Sequence, residues 1–163
     1  MKRLLAAVAV TIVSLQLGTT LAEACGAKFL VATSSALLQR LQRTRHPANI
    51  LVYQHTRDTD VVEFVTKLRS MLTAMGHTVT VADGEDALRG ASGGKFSVVM
   101  LKLDEARRLK ASLASTLPEA TILPMDALVT QPVIAVAKQE FGRMLVLPAT
   151  TKEVFSTVEA ANK

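Results

Sequence analysis

Six residues stand directly after apolar runs that read as strands, and they hold most of the chain's capacity for site chemistry. They are Gln54 and His55 after Ile50-Leu51-Val52-Tyr53, Asp83 after His77 to Ala82, Lys102 after Phe96 to Leu101, Asp126 after Ala120 to Met125, and Leu147 at the end of Met144 to Leu147. An imidazole exchanges protons near neutral pH, carboxylates act as bases or hold hard cations, and an ammonium binds anions. In open parallel sheets such groups act where strands end at their carboxyl edge, so their position matters as much as their type.

Other arrangements point to less. His46, His55 and His77 fall in different elements without close spacing, which argues against a zinc or haem site. Gly84, Gly90, Gly93 and Gly94 form no phosphate-cradling loop, because no GxGxxG or GxxxxGK pattern follows a strand and opens a helix. There is no nucleophile elbow and no Ser, His and Asp arrangement to go with one. With no Trp and a single Tyr, the chain has few platforms for stacking on bases, and no nucleic-acid partner is expected. No cofactor or metal is expected either.

The elements that carry these residues follow from periodicity. Ile50–Tyr53 is a continuous apolar run and Phe96–Leu101 (FSVVML) is apolar on both faces, as strands covered on both faces require. Helices are expected from Asp58 or Thr59 to Gly76, with Val61, Val65, Leu68, Leu72 and Met75 on one stripe, and over Asp86–Ala91, Asp104–Leu117, Pro132–Phe141 and Thr151–Ala161. Five strands each followed by a helix imply a doubly wound, five-stranded parallel α/β sheet with right-handed crossovers and helices on both faces. Met71, Met75 and Met100 lie on apolar stripes and are expected in the core.

From Ile50 to about Ala161 the chain resembles the receiver domains of bacterial response regulators, which have the flavodoxin-like architecture. The pieces that carry the resemblance are the ILV opening, GHTVTVADGEDAL from Gly76 to Leu88, FSVVML before the phosphorylation position, and LP followed by TKEVFSTV. Receivers accept a phosphoryl group on an aspartate after the third strand. They hold Mg²⁺ with it and an acidic pair after the first strand, then bind the new phosphoryl oxygens with a Thr or Ser and a Lys. The resemblance places Gln54 and His55 at the acidic pair, Lys102 at the acceptor, Asp126 at the hydroxyl and Leu147 at the lysine. An amine forms no acyl phosphate, and these side chains offer no carboxylate cluster for Mg²⁺, so the site is expected to be degenerate and without phosphoacceptor activity. The family's Lys-Pro bond is often cis, and Pro148 permits the same geometry after Leu147. The replacements suggest a fixed Lys102–Asp126 ion pair across neighbouring strands in place of a switchable phosphate, against the plainer expectation of two solvated rim charges.

The start of the chain reads as a signal peptide over residues 1–24, with Met1-Lys2-Arg3, an apolar run from Leu4 to Leu17, and Ala22-Glu23-Ala24 before a cleavage point. Cleavage there would leave Cys25, the only cysteine, at the new terminus, either lipidated or as a free or intermolecularly paired thiol. Residues 25–48 form a basic arm, expected as a strand over Lys28–Thr33 and a short helix with Leu37, Leu38 and Leu41 on one side. That helix either packs on the domain or brings Lys28, Arg40, Arg43 and Arg45 to a membrane surface or partner. From Ile50 to Lys163 the 13 basic and 13 acidic residues cancel, so the formal net charge of +5 arises before that point.

Two functional readings follow for residues 49–163. The first is a periplasmic or secreted, non-enzymatic pseudo-receiver that docks an envelope protein through Gln131–Phe141 and Lys152–Ala161. The second is a small-ligand binder or enzyme with His55, Lys102 and Asp126 lining a rim pocket.

Overall fold

The computed structural model describes residues 30–31, 46–55, 59–127 and 129–163. The expected signal peptide, Cys25, Lys28 and the arm residues Arg40, Arg43 and Arg45 lie outside the described residues. Among the described residues no helix is long and apolar enough to cross a membrane.

Seven strands and five α-helices are described. The strands are β1 (Leu30–Val31), β2 (Asn49–Gln54), β3 (Thr78–Asp83), β4 (Val98–Lys102), β5 (Thr121–Ala127), β6 (Leu145–Leu147) and β7 (Ala149–Thr150). The helices are α1 (Thr59–Ala74), α2 (Gly84–Gly90), α3 (Leu103–Thr116), α4 (Gln131–Phe141) and α5 (Thr151–Ala161). Strands β2 to β6 form one parallel sheet in the order β3-β2-β4-β5-β6, the doubly wound flavodoxin-like topology expected from the sequence.

Most boundaries fall within two residues of the sequence pattern. β4 starts at Val98 rather than Phe96, because the Ser97 N–H still joins Asn49 O from the approach loop and Phe96 packs into the core from outside the ladder. α2 starts at Gly84 rather than Asp86; the φ of +84° there turns the chain straight from β3 into the helix. Pro124 sits inside β5, where its missing N–H costs nothing. The Thr121 N–H points at Ser97 O on the β4 side, so by alternation Pro124 points to the β6 side, where pairing begins only at Met125.

Two strand segments extend this frame. β1 pairs in parallel with β7, matching Leu30 to Ala149 and Val31 to Thr150, as a separate two-stranded sheet. The Leu147-Pro148 bond between β6 and β7 is cis. Thr150 also caps α5: its N–H donates to Glu153 Oε2 at 2.7 Å, and the Glu153 N–H donates to Thr150 Oγ1 at 3.3 Å.

The period of two in the strands builds two cores. Ile50, Val52, Val98, Met100, Leu123 and Met125 face α1 and α5, where Leu68, Leu72, Val154 and Val158 are buried. Leu51, Tyr53, Val99 and Leu101 face α2 and α3, where Leu88, Ala106, Leu109 and Leu113 cover them. Met100 and Met75 are core residues as expected, and Met71 packs against the first core. Behind β6, Met144 joins Leu103, Ile134 and Ala137 under α4.

At the amino edge, His77, 4% exposed, is the one buried polar residue among those described. Its Nδ1 accepts the Ala48 N–H at 3.2 Å, so the neutral ring carries its proton on Nε2, which has no partner among the described residues. Burial lowers the His77 pKa below the usual 6.5, and Glu159 pulls weakly the other way. The unfolded chain therefore binds this proton more readily than the folded one, so stability is full above about 6.5 and falls as pH drops through the depressed folded-state value. Unfolding midpoints at pH 7.5 and 5.5 should drop for the wild type. His77→Gln, which keeps an acceptor for Ala48, should flatten the difference; an equal drop in both proteins would contradict the assignment.

Candidate functional site at the carboxyl edge

The positions singled out in the sequence all reach the carboxyl edge, but strand register divides them. Gln54 and Lys102 are the last residues of β2 and β4. They follow Val52 and Met100 by two and so point to the α1–α5 face. Leu147, which ends β6 and is 8% exposed, belongs to the same face and fills its core. Asp126 pairs with Val146, which packs under α4, and so points to the other face.

The expected Lys102–Asp126 pair does not form. In the β4–β5 register Lys102 stands opposite Met125, one residue short of Asp126, and adjacent residues on a strand project from opposite faces. Asp126 Oδ1 instead accepts the N–H of its neighbour Ala127 at 2.8 Å. Lys102 is exposed, in extended backbone at the start of α3, and makes no side-chain cap there. Asp104 and Glu105 follow in the first turn of that helix, where carboxylates suit the positive end of its dipole.

A different network occupies the rim on the α2–α3 face. Tyr53, 2% exposed along its length, carries its hydroxyl to the edge, 3.3 Å from His55 Nδ1. Arg108 of α3 approaches the same hydroxyl, with Nη2 at 3.5 Å. Its guanidinium also forks between two carboxylates: Nε donates to Glu105 Oε2 at 2.9 Å, Nη2 closes on the same oxygen, and Nη1 binds Glu85 Oε1 of α2. Glu85 continues to Arg89 at 3.5 Å. One arginine thus joins two helices and the carboxyl end of β2.

The charges respond accordingly. The Arg108 hydrogen bond and charge hold the Glu85 carboxyl below its usual range, and the two carboxylates push the Arg108 guanidinium further above its own. Burial raises the Tyr53 phenol, Glu105 adds to the rise, and Arg108 opposes it. Further along, Glu140 of α4 accepts from Arg107 at 3.2 Å and from Lys110 at 3.5 Å. Lys110 Nζ also lies 4.8 Å from the centre of the Phe141 ring. Ion pairs therefore link α2 to α3 and α3 to α4 across one side of the domain.

Arg108 has its donors committed to carboxylates, so it neutralises the rim rather than presenting a free anion site. No group of three His, Cys, Asp or Glu among the described residues stands close enough to hold a metal ion. A cavity of about 720 Å³ opens elsewhere, between α1 and β3, with Gln54 at its border and neither Lys102 nor Asp126 in its wall.

Tyr53, Glu85, Glu105 and Arg108 carry the rim but do not stand out in the sequence. The only local signals are the three-residue spacing of Glu105 and Arg108 and the four-residue spacing of Glu85 and Arg89. No protein-family model matches the chain, and no curated protein matches it significantly.

Because Tyr53 is the only tyrosine and the chain has no tryptophan, its ionisation reads out directly as absorbance near 295 nm. Arg108→Gln removes the cation that favours the phenolate, so the titration midpoint should rise further. An unchanged or lower midpoint would show that Arg108 does not govern this hydroxyl.

Proposed function

We propose that the chain is an exported receiver-like domain without phosphoryl-transfer chemistry, working as a protein-docking module in the bacterial cell envelope. The observation that carries this reading is Lys102. An amine ends the third strand of the five-stranded sheet, where an acyl phosphate needs a carboxylate, and Gln54 and His55 stand where Mg²⁺ needs acids. The order of the sheet, the segment GHTVTVADGEDAL and the LP-TKEVFSTV ending support the receiver resemblance. The basic, apolar and small-residue pattern of residues 1–24 supports export, to the periplasm or beyond.

The docking face assigned to this module comprises α4 and α5 around β6. Val136 on α4 is 53% exposed, one of two large hydrophobic residues so exposed among the described residues. Exposed apolar side chains on a helix pinned by Glu140 to its neighbour suit a contact surface that keeps its shape. A ligand site built from His55, Lys102 and Asp126 has less support, because register sends Lys102 and Asp126 to opposite faces.

Affinity capture from envelope extracts with residues 25–163, run beside the Val136→Asp variant, tests this. A single partner should be recovered by the wild type and fall about tenfold with the variant, a difference of about 1.4 kcal/mol, while thermal unfolding stays unchanged. A partner retained equally by both proteins would contradict the assigned face.

A further inference from the structure

The two edges of the sheet are finished differently. β6 is three residues long, whereas β3 is six, Thr-Val-Thr-Val-Ala-Asp, with no charge before Asp83 and no proline or bulge. No strand pairs with the outer side of β3 among the described residues. The Thr78 N–H donates to Ala48 O on the β2 side at 2.9 Å, so Thr78, Thr80 and Ala82 turn their backbone groups inward and Val79 and Val81 turn theirs outward. Proteins ordinarily blunt such an edge with lysine, proline or a bulge. Among the described residues this edge carries none of these devices and no strand partner.

The cavity described above runs beside this edge. Val62, Val65 and Val81 form its apolar wall, and Val62 is 40% exposed. Arg69 is its one charged lining residue among those described; it is exposed and makes no ion pair among the described residues. At the carboxyl end, the Gln54 Oε1 is buried and accepts no hydrogen bond among the described residues. An unpaired buried acceptor costs free energy that an incoming N–H would recover.

We propose that the groove between α1 and β3 takes an extended peptide segment of a partner protein, which adds to the sheet as a strand beside β3 and sets an acidic side chain on Arg69. Only another extended backbone matches a row of outward N–H and C=O groups, and alternate side chains of that strand would reach the valine wall. The lone guanidinium selects for acid. A second copy of this chain fits less well, because the strand it would offer, Thr-Val-Thr-Val-Ala-Asp, carries no acid before its last residue. The surface lies at the opposite edge of the sheet from β6 and α4, so it stands or falls separately from the Val136 face.

The test uses residues 25–163 and two fluorescein-labelled ten-residue peptides of alternating Val and Thr, one with a central Glu and one with a central Lys. Fluorescence anisotropy should show saturable binding of the Glu peptide, about tenfold weaker binding of the Lys peptide, and reversal of that order with Arg69→Glu. Val79→Pro, which removes an outward N–H and no bond to β2, should abolish binding; N-methylation of alternate peptide residues should do the same and leaves the protein untouched. Failure of both peptides to bind at millimolar concentration would overturn the proposal, as would binding indifferent to Arg69→Glu. A concentration-dependent dimer in analytical ultracentrifugation, lost in Val79→Pro, would assign the edge to a second copy and overturn it too.

Discussion

Strict alternation of side chains along strands held in fixed parallel register governs what this domain can do. It separates Ile50 and Val52 from Leu51 and Tyr53, and so builds one core under α1 and α5 and another under α2 and α3. The same alternation decides the chemistry at the carboxyl edge. Lys102 opposite Met125 is committed to one face and Asp126 opposite Val146 to the other. A shift of one residue in β5 would bring the two charges together, but it would also turn Leu123 and Met125 out of the first core. Burial of those side chains outweighs any gain from an exposed ion pair.

With the strand ends divided, the edge is tied together from the helices. Arg108 reaches Glu105 on its own helix, Glu85 on α2 and the hydroxyl at the end of β2. Glu140 then ties α4 to α3 through Arg107 and Lys110. Exposed ion pairs contribute little one at a time, but a guanidinium shared by two carboxylates and a buried phenol restricts several elements at once. On the proposed docking reading, these charges hold the carboxyl edge in one arrangement.

Much of the fold was legible because burial on both faces leaves a plain mark. Ile50–Tyr53 is continuously apolar, Val98–Leu101 is the apolar part of the Phe96–Leu101 run, and the stripe from Val61 to Met75 has the helical period. Gly76, at φ +98°, ends α1 where the sequence places the stop. The site was less legible. Strand ends could be placed from composition, but the relative register of β4 and β5 depends on how both pack, and the Lys102–Asp126 expectation failed on that one-residue offset. Arg108 and Glu85 lie 23 residues apart, and nothing local announces that α2 and α3 will lie side by side. Tyr53 was conspicuous only as the single tyrosine, because a hydroxyl at the end of an apolar run reads first as core.

On the proposed reading the carboxyl edge is fixed rather than switchable. The direct measurement is a two-dimensional ¹H–¹⁵N spectrum of residues 25–163, titrated with Mg²⁺ and beryllofluoride as a phosphoryl mimic. The amides of Gln54, His55, Lys102 to Glu105, Asp126, Ala127 and Leu147 should hold their positions throughout. Saturable shifts at Lys102 and Asp126 that spread into α4 would instead show a working switch.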